Sequence, residues 1–417
     1  MEEQAPLITN DAVVFGILMA ILALIFTTAS SKNPFWTKFY SVVPSLLLCY
    51  FIPGLLNSFG LISGEHSGLY GMASRYLLPT SLVLFTLSID FQGILKLGPK
   101  ALIMFLSGTV GILLGGPLAV LLVSFFAPEV MGGTGPDEVW RGLATIGGSW
   151  IGGGANQTAM LEVFGASPNL FSQMIAVDVI VANIWMAVLL YGAANPGKID
   201  KIFHADSTAI QELRENVEKY REGILKIPTL ADTMMIFGLG FGITGLAHLL
   251  AENIAPWIAE HYPELDQYSL DSPFFWIVVI ATTGGLILSF TKARKLEGVG
   301  ASRLGSVLLY VLVATIGMQM DLKAIFSNPT FFMVGIIWII IHVMIMLTVA
   351  YLIKAPFFFV AVGSQANIGG AASAPIVASA FNPALAPVGV LLAVLGYAVG
   401  TYGGYLCGIL LQWASNI

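Results

Sequence analysis

The chain has 417 residues, of which 57% are hydrophobic and only 10% charged, whereas a soluble domain carries about a quarter charged residues. That balance excludes a soluble globular domain, and no nucleic-acid partner is expected. The net charge of −6, from 18 Lys/Arg against 24 Asp/Glu, carries little information because so few residues are charged and their positions matter more than their sum.

The N-terminus, "MEEQAPLITND", is acidic and lacks the basic n-region of a cleaved signal, so the first apolar run is expected to be a retained helix. Apolar runs of bilayer-spanning length follow from end to end. Spanning helices are expected near 11–30, 39–60, 74–92, 100–127 and 168–192. After a polar stretch at 193–228, five more are expected near 230–250, 273–291, 304–321, 329–353 and 385–412. The two cysteines, Cys49 and Cys407, lie in apolar runs and read as packing residues. Within 206–226, Ile210, Leu213, Val217, Tyr220 and Ile224 recur at helical spacing and predict an amphipathic linker helix.

Two apolar segments are interrupted, near 139–163 and 355–381. The first contains "GGSWIGGGANQT", with five glycines in twelve residues; the second contains "VGSQANIGGAASAP". Either both cross the membrane or both are hairpins that enter and leave on one side. Basic residues favour the cytoplasmic side of a membrane. With hairpins and an external N-terminus, 15 of the 18 Lys/Arg fall inside; with spanning segments the better orientation gives 13 against 5. Hairpins are therefore expected, with both termini external and the 251–271 loop, which has no Lys or Arg, outside.

The halves resemble each other. Ala73-Ser74-Arg75 pairs with Ala301-Ser302-Arg303, "SIDFQGILKLGP" with "QMDLKAIFSNP" (Asp90 with Asp321, Pro99 with Pro329), and "GSWIGGG" with "GSQANIGGA". Five spans is an odd number, so the second half starts from the opposite face, as in the inverted repeats of secondary transporters. The expected fold class is an all-α polytopic membrane protein made of two inverted repeats, 1–192 and 229–417, each with five transmembrane helices and one re-entrant hairpin, joined by a cytoplasmic linker at 193–228. The hairpin tips are expected to meet near the midplane. Irregular backbone at that depth is tolerated only against protein or a water-filled cavity.

On "GGSWIGGG" and "NIGGAA" the chain resembles the YjcL-like family of uncharacterised membrane proteins along nearly its whole length. More distantly it is similar to sodium/glutamate and sodium/citrate symporters. That similarity implies two inverted five-helix halves with Gly-rich re-entrant hairpins and carries over no substrate. A plain Gly-Gly-x-Gly-Gly motif is missing.

Asp178 lies near the middle of the fifth span, and an ionisable group there is a functional hypothesis in its own right. It is the expected ion-coupling residue, for sodium or a proton, with Asn183 beside it as a candidate, although five residues place Asn183 about 140° round the helix. A neutral Asp bonded to a neighbouring helix is the alternative. The expected substrate-binding groups are Ser149, Asn156, Gln157 and Thr158 with Gly153 on the first hairpin, and Ser364, Gln365, Asn367 and Ser373 with Gly369 on the second. Some of these would only satisfy hairpin backbone. Trp150 could shape a pocket or simply pack. Asp90 and Asp321 read as boundary caps, and Arg75 and Arg303 as anchors. Gly396, Gly400, Gly404 and Gly408, each four apart, form a small-residue face suited to close helix packing.

"GFGITG" at 240–245 lies inside an apolar helix with no strand before it and does not signal a nucleotide site. The five histidines are scattered, and neither HExxH nor GxSxG occurs. The expected function is ion-coupled secondary transport of a small organic solute such as an amino acid, short peptide or carboxylate, by elevator-like alternating access. A channel is the alternative, followed by a membrane enzyme or receptor. The expected location is the cytoplasmic (inner) membrane. The expected partners are the solute, membrane lipid and a second copy of the chain in a homodimer, with no cofactor beyond a sodium ion, for which Asp178 is the candidate ligand.

Overall fold

The computed structural model describes residues 6–40, 43–205, 227–320, 328–382 and 385–417, and these residues contain helices and no strands. The expected linker helix at 206–226, and residues 321–327 of the second matched segment with Asp321, lie outside the described residues. The main helices are α1 (Asp11–Ala29), α2 (Ser45–Ser58), α3 (Leu78–Leu87), α4 (Pro99–Phe126), α5 (Val139–Gly152), α6 (Gly154–Phe164) and α7 (Pro168–Ala193). The second half continues with α8 (Leu230–His261), α9 (Pro273–Ser289), α10 (Ala301–Gly317), α11 (Thr330–Ile353), α12 (Phe357–Ile368), α13 (Gly370–Phe381) and α14 (Ala386–Ser415). Leu69–Met72 and a π-helical turn, Ala73–Leu77, run directly into α3.

Six of these helices, α1, α4, α7, α8, α11 and α14, are long and apolar enough to cross a membrane. The number rises to eight if Pro34–Tyr40 is counted with α2 and Lys292–Val299 with α9. The protein is an integral membrane protein on this evidence. The expected spans at 74–92 and 304–321 fall on shorter elements: α10 has 17 residues, about 26 Å of helix against a hydrocarbon core of about 30 Å.

One boundary differs from expectation. α8 does not stop near 250 but continues through "AENIAPWIAEH" to His261, despite Pro256. The extension is amphipathic: Ala251, Ala255 and Ile258 are buried while Glu252 and Glu260 face out. A run of one-sided small residues thus extends a helix where low hydropathy had suggested a loop.

Both interrupted segments fold back on themselves. Trp140 and Phe164, 24 residues apart, stack edge to face at 5.5 Å at the base of the first hairpin (α5–α6). Phe358 and Phe381 do the same at 5.3 Å at the base of the second (α12–α13). The tips abut: a Cβ built on Gly370 would lie 3.7 Å from the Cα of Gly153.

Helix α14 fixes the direction of each hairpin. Along it, Gly389 packs on Ala374 of the second hairpin, Gly396 meets Ala366 and Ile151 near both tips, Gly404 meets Gly148, and Gly408 meets Phe164 at the base of the first. The hairpins therefore approach from opposite ends of α14, separated over 19 residues or about 28 Å of helix. The glycine face read from the sequence is this intrachain contact. A Cβ at Gly400 would come within 2.5 Å of Gly152 Cα.

Helix α7 passes the same two hairpins in the reverse order. Leu170 and Met174 pack on Gly142, Asp178 on the first tip, Trp185 on Ser364, and Gly192 on Phe357. α7 and α14 are thus antiparallel. α4 and α11 also pack closely. Glycines at 108, 111, 115 and 116 leave room for Trp338 and His342, and the Trp338 indole donates to Ile112 O at 2.8 Å.

The helices fall into two sets by packing. α4, both hairpins, α7, α11 and α14 pack mainly on one another, and α1–α3 pack mainly with α8–α10. Between the sets lie Phe85 stacked on Tyr397 at 4.0 Å, Thr282 bonded to Thr401 at 3.1 Å, and Tyr70 bonded to Glu162.

Candidate functional site

A hairpin tip leaves the last carbonyls of one helix and the first amides of the next without intrahelical partners. Here two such tips converge, so two helix C-termini (α5, α12) and two N-termini (α6, α13) meet around Gly153 and Gly370. Gly153 turns the chain with φ 78° and ψ −177°, backbone that L side chains rarely adopt. On the second hairpin the positive φ, 56°, belongs to Gly370. Gly369, the glycine expected to matter there, has φ −107° and is confined instead by the Ser373 hydroxyl and the Gln365 amide, which occupy the space a Cβ would take.

The first hairpin is fixed to α7 through Asp178, which is 6% exposed. Its carboxylate accepts from Ser149 Oγ at 2.7 Å, Trp150 Nε1 at 2.6 Å and Gln157 Nε2 at 2.9 Å. A buried carboxylate is tolerated only when hydrogen bonds or opposite charge compensate it. The three donors come from both arms of the hairpin, so Asp178 ties α5 to α6 as well as to α7. The arrangement supplies an acidic centre about one turn from the tip, with no basic side chain among its hydrogen-bond partners in the described residues.

Asn156 points to the other flank. Its amide donates to Gly152 O at 3.1 Å and Tyr397 O at 3.0 Å, and its carbonyl accepts from Thr401 at 2.7 Å, tying the tip to α14. Thr158 bonds back to Gly154 O at 3.0 Å. Asn183 does not join the Asp178 group. It is half-buried and donates to Val179 O of its own helix at 2.6 Å, as the 140° offset on the helix requires.

The second hairpin is fixed differently. Ser364, the counterpart of Ser149 in the matched "GS" pair, bonds to His342 Nε2 at 2.8 Å and accepts from Trp185 Nε1 at 2.8 Å. The other ring nitrogen of His342 lies 3.0 Å from Gly108 O. A carbonyl can only accept, so the proton sits on Nδ1 and Nε2 takes the Ser364 hydroxyl proton. Asn367 accepts from Thr109 at 2.7 Å and donates to the carbonyls of Phe105 and Gly363, both at 2.9 Å. Gln365 Nε2 donates to Ser373 at 2.7 Å. Its Oε1, buried at the tip, has no donor among the described residues.

His342, Trp185, Thr109 and Thr401 were not among the residues expected from the sequence. His342 carried the same signal as Asp178, an ionisable group inside an apolar run, and is fully buried. The others are recognisable only from partners 179 to 258 positions away. Asp90 caps Phe91–Leu95 through Gly93 N–H at 3.0 Å and pairs with Arg294 at 2.7 Å. Arg75 sits over the Phe274 ring at 5.3 Å. Among the described residues no group of three His, Cys, Asp or Glu could hold a metal ion.

The chain is 24% identical over 395 residues to the uncharacterized membrane protein YjcL of Bacillus subtilis (strain 168), covering 91% of this chain and 92% of that one. A family profile matches residues 16–414, which take in both hairpins and every helix that packs on them, and the chain therefore belongs to the DUF819 family of proteins of unknown function.

Proposed function

We propose that this protein is an ion-coupled secondary transporter of a small organic solute, working by alternating access. The observation that carries the reading is the meeting of two oppositely directed hairpin tips at Gly153 and Gly370 beside a buried carboxylate. Paired broken elements near the centre of a membrane protein are where transporters place substrate and coupling ions. Carbonyls at the two C-termini suit a cation, and amides at the two N-termini suit a carboxylate. The division into two helix sets supports movement of the hairpin set against the other, because each set packs mainly within itself. Ten spans in two inverted repeats, external termini and residence in the cytoplasmic membrane complete the proposal.

In this scheme the Asp178 charge couples ion to solute. An ionised carboxylate so deeply buried favours a bound cation or proton before the surrounding set can cross the hydrocarbon. The test is uptake of a panel of amino acids, dipeptides and carboxylates into proteoliposomes under an imposed sodium or proton gradient. The expected result is gradient-driven accumulation of at least one solute class, lost in Asp178→Asn, which keeps size and hydrogen bonding but removes the charge. Downhill flux of ions with no solute dependence would identify a channel. The topology is tested separately with single cysteines: one at 198 should be labelled only from the cytoplasm, and one at 262 only from outside.

A further inference from the structure

Away from the tips, the boundary between the two helix sets opens into two adjoining cavities. The inner one, of about 240 Å³, has Tyr70, Ile316 and Gln319 of the α1–α3/α8–α10 set on one wall and Leu161, Glu162 and Phe171 of the hairpin set on the other. The outer one, of about 380 Å³, shares Pro168 and Gln319 with it and adds Glu65 and His66. Among the described residues no Lys or Arg lines either cavity. Glu162 is partly buried and accepts from the Tyr70 hydroxyl across the boundary. Among the described residues it has no ion-pair partner within bonding distance. Arg75 acts on it only from further off, with its guanidinium placed over Phe274.

We infer that this chamber binds the ammonium group of a small organic cation or zwitterion, with Glu162 as the counter-charge and the Tyr70 and Phe171 rings beside it. Three observations lead there. A two-chamber passage whose charged lining is acidic concentrates cations. A carboxylate set among aromatic rings suits an ammonium, which gains from ring faces as well as from charge. The chamber is also too large and too apolar for a bare inorganic cation, which needs a close cage of oxygens, and its mix of apolar walls with a few polar groups is that of an organic-ligand site. Glu162 is eight residues from Gly154, about 12 Å along α6 from the tips, so the site lies on the route to them. That role on a route rests on the transporter reading; binding does not.

The test uses the full chain in detergent, with no gradient. Unfolding temperature is followed at constant ionic strength against choline, ethanolammonium and tetramethylammonium chlorides, with sodium chloride and sodium acetate as controls. The expected result is a saturable rise with at least one ammonium probe and none with the controls. Glu162→Gln should weaken the apparent affinity at least tenfold, and Glu260→Gln, on the exposed face of α8, should leave it within about twofold. If Glu162→Gln does not fold, Tyr70→Phe takes its place and should weaken binding severalfold. No response to any ammonium probe, an equal response to acetate or sodium, or unchanged affinity in the folded chamber variant would overturn the inference. Ammonium binding without gradient-driven uptake would leave this site standing and count against transport; transport without ammonium binding would do the reverse.

Discussion

The two hairpins share a plan and differ in what holds them. Each has a "GS" pair on its first arm whose serine reaches a buried ionisable side chain: Ser149 to Asp178 and Ser364 to His342. The first is held by an acceptor-only group that collects three donors from both arms. The second is held by a neutral imidazole that passes a hydrogen bond from Ser364 on to Gly108, with Asn367 buttressed by α4. In the first hairpin one carboxylate gathers both arms while Asn156 fixes the tip to α14; in the second the same tasks fall to neutral groups. On the proposed ion-coupled mechanism, that difference assigns ion sensing to the first hairpin.

The largest effect should come from removing the two central groups. Asp178→Leu leaves Ser149, Trp150 and Gln157 without their acceptor, and a buried donor without a partner costs about 1–3 kcal/mol. The expected loss is on the order of 3 kcal/mol or more. His342→Leu should cost about half as much, because Ser364 keeps the Trp185 bond and its hydroxyl can turn to a carbonyl one helical turn back. Reversible denaturation in mixed micelles measures both. Equal losses would erase the contrast between a charge-centred and a distributed hairpin.

Next come the tip glycines. At φ 78° and ψ −177° Gly153 occupies backbone that costs other residues about 1–3 kcal/mol. At φ 56° Gly370 occupies the left-handed region, at about 1–2 kcal/mol. Gly153→Ala is expected to lower stability more than Gly370→Ala. If the tips form the solute site, Gly153→Leu should abolish uptake while leaving folded protein, as judged by gel filtration.

These contrasts were only partly legible in the sequence. The hairpins announced themselves because loop composition inside apolar runs has few physical explanations. Asp178 was legible because ionisable groups in spans are costly. His342 met the same criterion, yet a neutral imidazole can satisfy itself inside a helix bundle, so it drew less notice than a carboxylate. Trp185 and Thr401 are ordinary residues in apolar helices, and their roles exist only because α7 and α14 pass the opposite hairpin. Glu162 was hidden in a different way. It looked like part of an interrupted segment, and nothing local shows that Tyr70, 92 positions earlier, faces it across the boundary between the helix sets. α8 was placed short because hydropathy falls after residue 250, whereas its alanine-lined face continues the packing.

Trp185→Phe is a smaller perturbation that tests the second hairpin alone. It keeps the ring packing and deletes one hydrogen bond to Ser364. Hydrogen bonds between membrane helices average about 0.6 kcal/mol, so the expected loss is of that size, with uptake reduced less than twofold. A loss above about 2 kcal/mol would mean that Trp185 is as central to the second hairpin as Asp178 is to the first.

The smallest effect is expected at Asn183, and it locates the edge of the charged site. Asn183 lies five residues from Asp178, close enough in sequence to invite a shared role in ion coupling. Five residues on a helix is about 140° of rotation, however, which turns the two side chains to different neighbours. Asp178 is fully engaged with the first hairpin. Asn183 is half-buried and bonded to Val179 O at 2.6 Å, inside its own helix. An amide bonded to its own helix four residues back holds no other element in place, so Asn183→Ala should change stability by less than about 0.5 kcal/mol. Uptake and its ion dependence should match the parent, whereas Asp178→Asn on the same helix loses accumulation. The measurement is initial uptake rate across a sodium and a proton titration for both variants. A shifted ion dependence in Asn183→Ala would mean that α7 rotates during transport and brings its second polar face to the hairpin, in which case the coupling site would be shared between two faces of one moving helix.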